Sequence, residues 1–225
     1  MFTIEENISM NISQNSFKFL FILILVVCTM SLPTACQWGD DPDAWEKRHN
    51  EYQPPDQVMD SMAVKAGMTI AEIGAGQGRY AVLMARRVGP TGKIYAIDID
   101  EKALDYLNLR CKRDKIQNVI TVLGTVTDSK LPKGLMDLIY IINTYHHLDD
   151  PIALMKNLSP ALKPNGQLVI IEHDPIKVPE MKSHATPRET LIQQANEASF
   201  KRLKIQTFLK RDNIYYLQVD DKKVK

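Results

Sequence analysis

A chain of 225 residues with 44% hydrophobic and 24% charged residues has room for one ordinary globular domain with an appendage. Its formal net charge of +1 excludes the basic bias of a nucleic-acid-binding or acidic-lipid-binding surface. Three cysteines, Cys28, Cys36 and Cys111, include no Cys-x-x-Cys pair and have no histidine cluster at ligand spacing, so neither a disulfide framework nor a metal site is expected.

In chain order, Phe19 to Cys28 is continuously apolar and can be extended to Leu32. That is short of the roughly 18–20 residues of a spanning helix but suits the hydrophobic region of a signal peptide, about 7–15 residues. Leu32-Pro33-Thr34-Ala35-Cys36 follows, and small residues before a cysteine after such a run resemble a bacterial lipoprotein signal, whose cysteine becomes the lipidated first residue. Pro33 departs from the aliphatic residue of that pattern. Glu5 and Glu6 are also unusual ahead of it, and a start at Met10 would leave Lys18 as the only charge up to Cys36. The alternative is a short uncleaved anchor. Residues 1–36 are therefore expected to be a signal peptide or membrane anchor, 37–52 a polar tether around Asp40, Asp41 and Asp43, and 53–225 the folded domain.

Pro54-Pro55 opens a helical pattern with Val58, Met59, Met62 and Val64 apolar, stopped at Gly67. Met68 to Ile73 reads as a buried strand, followed by a glycine-rich turn and a helix through Arg87. Gly89-Pro90-Thr91-Gly92 turns the chain into a second strand, Lys93 to Asp98. A helix over Glu101 to Lys112, a β-branched strand over Val119 to Leu123 and a long loop to Gly134 come next. Asp137 to Ile142 is a fourth strand, apolar on both faces as parallel strands are. Asp150-Pro151 starts the following helix, Pro160 divides it, and Gln167 to Ile171 is the fifth strand. Thr186-Pro187-Arg188-Glu189 has the form of a capping box ahead of a further helix. Leu203 to Ile205 and Ile214 to Val219 make a terminal antiparallel hairpin, and the last lysines a solvated tail. The expected fold is α/β and doubly wound: a mostly parallel sheet with an antiparallel end, binding ligands at the carboxyl ends of its strands.

The most informative stretch is Glu72-x-Gly74-x-Gly76-x-Gly78, where three of the chain's ten glycines fall within five positions between strand and helix. Glycine is wanted where the backbone takes positive φ and must approach a ligand with no Cβ in the way. The spacing departs from the dinucleotide fingerprint, since Arg79 stands where its third glycine belongs. Glu72 puts negative charge beside the loop, unfavourable to a pyrophosphate and favourable to a cationic nucleoside. Asp98 closes the second strand 20 positions beyond Gly78, the distance at which a carboxylate accepts ribose hydroxyls.

At these residues the chain resembles the class I S-adenosylmethionine-dependent methyltransferases, from about Gln53 to the C-terminus. The resemblance implies a seven-stranded sheet in the order 3-2-1-4-5-7-6 and S-adenosylmethionine as cofactor. It implies cofactor contacts at Glu72, Gly74, Ala75, Gly76, Gly78, Asp98, Ile99, Thr125 and Asn143. After the third strand, family members often hold the adenine amino group with an acid; this chain offers Thr125 first and Asp128 three places later. At the end of strand four, Asn143-Thr144-Tyr145-His146-His147 lies where an acceptor should meet the methyl group. Tyr145, His146 or His147 could act as base toward a hydroxyl or acidic carbon. On an extended chain neighbouring side chains point to opposite faces, so at most one of the two histidines is expected to face the site. Glu172, His173 and Asp174 end strand five near the cleft and read as a solvated strand end.

The strand-four segment lacks the paired prolines of amino-directed nucleic-acid methyltransferases and looks more like small-molecule enzymes of the quinone-biosynthesis and arsenite-methylating kind. Arsenite chemistry would want a set of cysteines, and Cys111 stands alone in the domain. A small or lipid-like acceptor is thus expected, with no nucleic-acid partner. A non-catalytic nucleoside-binding module and a nicotinamide-dependent oxidoreductase are the alternatives. Membrane association through residues 19–32 or a lipid on Cys36 is expected too. The first leaves the domain facing the cytosol, where the cofactor is made, and the second makes it a lipoprotein of the bacterial cell envelope.

Overall fold

The computed structural model describes residues 42–220 and 222. The apolar run, Cys36 and the first part of the expected tether lie outside them. Within residues 42–52 a helix, α1 (Pro42–Tyr52), replaces the expected tether. Its sequence is polar because its partners are polar: Glu46 pairs with Arg110, and Asn50 accepts from Arg79 at 2.9 Å. Hydrophobic periodicity gives no hint of a helix held in this way.

The remaining elements are α2 (Pro55–Ser61), β1 (Thr69–Ile73), α3 (Arg79–Val88), β2 (Lys93–Asp98), α4 (Glu101–Arg113), β3 (Val119–Leu123), β4 (Met136–Ile142), α5 (Pro151–Leu158), β5 (Leu162–His173), α6 (Arg188–Glu197), β6 (Phe200–Gln206) and β7 (Asp212–Val219). The seven strands form one sheet in the order β3-β2-β1-β4-β5-β7-β6, as expected. Six run in the same direction; β7 runs antiparallel to them, between β5 and β6.

Two apolar layers cover the sheet, and strand alternation sorts residues between them. Ile70, Leu138, Tyr140, Val169 and Ile171 face Tyr80, Met84 and Val88 of α3 and Leu107 of α4. Ala71, Ile73, Ile139, Ile141 and Ile170 face Leu154, Met155 and Leu158 of α5 and Leu191 of α6. Burial on both sides explains why β4 reads as an unbroken apolar run. Each leucine, isoleucine, valine or methionine among them contributes about 1.5–3 kcal/mol by leaving water.

Several boundaries differ from expectation for identifiable reasons. Pro160 does not divide a longer helix: α5 stops at Leu158, Pro160 sits in a single 3₁₀ turn (Ser159–Ala161), and no helix continues beyond it. β5 starts early, at Leu162, because Leu162 pairs with Met136 while Gln167 pairs with Leu138, so the intervening residues bulge from the ladder. The capping box before α6 does not form; Pro187 is the N-cap and no side chain bonds to the helix start. Asp100 and Asp150 do cap α4 and α5, each accepting a backbone N–H at 2.9 Å.

The chain's order along the sheet reverses between β1 and β4. Their carboxyl ends therefore diverge, opening a cleft at the switch point between the loops after β1, β2, β3 and β4.

Candidate active site

Gly74, Gly76 and Gly78 all take positive φ, at 76°, 51° and 83°. They do so for three different reasons. A Cβ on Gly78 would lie 2.2 Å from Leu107 Cδ1, so this glycine lets α3 pack on α4. One on Gly74 would meet the Thr144 side chain at 2.4 Å, so this glycine lets the loop lie against the end of β4. A Cβ on Gly76 would have nothing within 4 Å, which leaves that backbone open to a ligand. The Gly76 N–H donates to Asp98 Oδ2 at 2.7 Å, and the Asp100 N–H donates to Asp98 Oδ1 at 3.0 Å. Two backbone donors thus aim the carboxylate at the loop.

A cavity of about 260 Å³ opens here. Gly74, Asp98, Ile99 and Thr125 line it, and so do Thr144 and His147 from the end of β4. Glu72, Ala75, Gly76, Gly78 and Asn143 are not among its lining residues; they belong to the loop, to β1 beneath it, and to the end of β4. Ala75 is tied down by its N–H to Ile97 O at 3.0 Å. Asp128 is occupied elsewhere, accepting from the Lys130 N–H at 2.8 Å and from Asn157 Nδ2 at 3.1 Å. Of the two candidates after β3, only Thr125 reaches the cavity, with Ser129 as a lining residue that the sequence reading missed.

Glu72 is buried, and its Oε2 has no hydrogen-bond partner among the described residues. Burial pushes its carboxyl up to about 8, against the pull of Tyr140 and Arg79, while Asp98 adds to the rise. This is a partly uncompensated acid under a glycine loop. A cation above the loop would favour its charged form.

Around it runs a polar network of long sequence span. The Arg79 guanidinium donates to Gln53 Oε1 at 2.9 Å and to Asn50, and lies 4.7 Å from the Tyr80 ring centroid. Gln53 in turn donates to Asn143 Oδ1 at 3.1 Å and to Asp212 Oδ2 at 2.9 Å. Asn143, at φ 49°, thus supports the end of β4 through Gln53.

Past β4 the backbone is not extended but winds into a 3₁₀ turn (Tyr145–His147), and this corrects the expected orientations. Tyr145 turns into the core and donates to Gln194 Oε1 of α6 at 2.8 Å, which takes it out of the cleft. His147 lines the cavity and His146 does not, as expected for at most one of the pair; the two rings pack with centroids 4.1 Å apart. Burial, then the adjacent rings of His146 and His184, hold His147 below its usual pKa. His146 Nδ1 is 2.7 Å from Glu172 Oε1. Glu172, His173 and Asp174 are buried rather than solvated, because β7 pairs beside them and Asp212 brings Oδ1 within 2.6 Å of His173 Nδ1.

Residues 71–170 match a family model described as a methyltransferase domain. That stretch of the chain is similar to a methyltransferase domain. A solved SAM-dependent methyltransferase from Aquifex aeolicus superposes with a TM-score of 0.70 at 24% identity, covering 80% of this chain and 98% of that one. Geranyl diphosphate C-methyltransferase from Streptomyces coelicolor gives 0.62 at 16% identity, over 79% and 85% of the two chains. At these identities the likeness is one of fold. A demethylmenaquinone methyltransferase of Lactococcus lactis is 26% identical over 155 residues, 69% of this chain and 56% of its own length. One from Geobacillus kaustophilus is 25% identical over 126 residues, 56% and 53% respectively. The chain spans about half the length of the curated relatives it matches.

S-adenosylmethionine is the cofactor of the methyltransferases that this chain resembles, and the residues present fit it. Gly76 leaves its backbone uncovered, Asp98 offers a carboxylate at the end of β2, and beneath the loop lies the buried Glu72 carboxyl, whose charged form a bound cation would favour.

Proposed function

We propose that the chain transfers a methyl group from S-adenosylmethionine to a small or lipid-like acceptor. The observation that carries this is the continuity of one cavity from Gly74 and Asp98 to His147. The cofactor loop and a histidine wall share one space. When bound, the cofactor supplies a methyl group on a sulfonium with a neutral leaving group, so the protein's task is mainly to hold and aim.

Asp98 would accept the ribose hydroxyls, and Glu72 would compensate the positive charge of the methionine end. Ile99 and Val126 offer apolar surface toward the base, with Thr125 and Ser129 as hydroxyl partners. On the acceptor side, a carboxylate at Glu172 accepts the proton on His146 Nδ1 and so leaves the Nε2 lone pair free. That atom takes the proton of a hydroxyl or acidic carbon as it is methylated. The demethylmenaquinone methyltransferases among the relatives support a quinol-like, lipid-soluble acceptor, and the absence of a basic surface bias argues against nucleic acid.

The test is to incubate the full chain with methyl-labelled S-adenosylmethionine and a panel of hydroquinones, phenols and a lipid extract. Label should reach a small organic product, and His146→Ala should slow transfer about 10²–10⁴-fold. Cofactor binding without transfer to any acceptor would leave a nucleoside-binding module. Tighter binding of a nicotinamide dinucleotide would indicate an oxidoreductase.

For place, we infer membrane association through the N-terminal segment, with lipid on Cys36. The reading rests on the apolar run and the small residues before that cysteine. No helix among the described residues is long and apolar enough to cross a membrane. Labelled fatty acid should enter the parent and not Cys36→Ser; equal labelling with retained membrane binding would leave the uncleaved anchor.

A further inference from the structure

Four of the chain's five histidines gather at the acceptor end of the cleft. His146 and His147 come from the turn after β4; His184 comes from the end of a 3₁₀ segment (Pro179–His184), 37 positions beyond His147. The ring of His184 stands 5.9 Å from that of His146 and 6.0 Å from that of His147. One ligand atom from each of the three lies within 4.8 Å of the others.

The excursion that delivers His184 is anchored at its base. The Asp174 carboxylate accepts from the Ile176 N–H at 2.9 Å and from Asn213 Nδ2 at 2.6 Å. The Lys177 ammonium donates to the carbonyls of Thr207, Leu209 and Asp212 at 2.7–2.9 Å. These five bonds hold the base of the excursion that brings His184 to the other two histidines.

We propose that His146, His147 and His184 bind a divalent transition-metal ion of the zinc class at the acceptor end of the cleft. Imidazole nitrogens suit such ions, and three of them leave a fourth position for water or an acceptor oxygen. Histidine ligands are typically oriented by a carboxylate on the second ring nitrogen, and Glu172 takes that place at His146 Nδ1, leaving Nε2 as the donor atom. Zinc–nitrogen distances of about 2.0–2.1 Å put neighbouring nitrogens roughly 3.3 Å apart in a tetrahedral site. Closing from 4.8 Å is a movement that side-chain rotation of His147 and His184, both exposed, can supply. Spacing along the sequence could not reveal the site, since the third ligand arrives from another element. A metal here would hold an acceptor oxygen and lower its proton affinity, with the His146 lone pair on the cation rather than on a proton.

The proposal rests on the acceptor-side reading of the cleft, but its test is independent of methyl transfer. The untagged full chain, stripped with chelator, is titrated with cobalt(II) and, in competition with a chromophoric chelator, with zinc. The visible absorption of four-coordinate cobalt at one ion per chain is expected. Glu172→Gln should weaken binding about 10–100-fold, and His184→Gln and His147→Gln by more. Retained binding of S-adenosylhomocysteine by His184→Gln would show that the variant is folded. Absence of binding by the parent overturns the proposal. So does uptake that is unchanged in both His147→Gln and His184→Gln, which would trace to ligands elsewhere in the chain. If metal binds and no methyl is transferred, the metal site stands and the proposed activity falls.

Discussion

The Gly76 N–H and the Asp98 carboxylate, 22 positions apart in the chain, meet at 2.7 Å and join the loop after β1 to the end of β2. One carboxylate therefore both shapes the loop and stands ready for ribose. Asp98→Ala should weaken S-adenosylhomocysteine binding by about 1.5–3 kcal/mol, read by calorimetry. An unchanged affinity would place the ribose elsewhere.

The three glycines should separate under substitution. Gly78→Ala sets a Cβ against Leu107 at positive φ and should cost roughly 2–4 kcal/mol of stability. Gly76→Ala meets no protein atom, so it should cost only about 1–2 kcal/mol, the left-handed backbone penalty. It should nonetheless weaken cofactor binding more than tenfold. Denaturant midpoints and calorimetry on both variants check this; equal stability losses would refute it.

Glu72 makes the unliganded protein sensitive to alkaline pH. The unfolded carboxyl loses its proton near its ordinary value of 4.5, whereas the folded one keeps it to about 8. Across that window the folded state binds more protons, so stability falls as pH rises, by a total of roughly 5 kcal/mol from this group. Glu72→Gln should flatten the decline in Tm between pH 5 and 8 while weakening cofactor binding. A parallel decline in parent and variant would show that the acid is not the cause.

Gln53 is the hub between α1, α3, β4 and β7. Gln53→Leu removes the donor to Asn143 and Asp212 and the acceptor for Arg79 in a buried setting, and should cost about 2–4 kcal/mol. Urea unfolding measures the loss, and a change below about 0.5 kcal/mol would mean that the three partners find water instead.

Much of this protein is legible along the chain because the determining interactions are local or periodic. Alternating strand and helix patterns specify the doubly wound sheet, and double-sided burial makes β4 an apolar run. The glycine loop and Asp98 fall within one βαβ unit, so their spacing reflects the geometry of a single crossover. Other features depended on tertiary structure. α1 is a helix because Arg79 and Arg110 partner its polar side chains, which periodicity cannot register. Tyr145 turns to Gln194 and His147 to the cavity, with His146 packed behind it on Glu172, because the backbone after β4 coils where extension was expected. Glu172 is buried because β7 pairs beside β5. His184 joins His146 and His147 only because Asp174 and Lys177 fasten the intervening chain to β7 and the segment before it. Local spacing records what one turn or one crossover places; the histidine cluster is assembled by contacts between strands that adjoin only in the folded sheet.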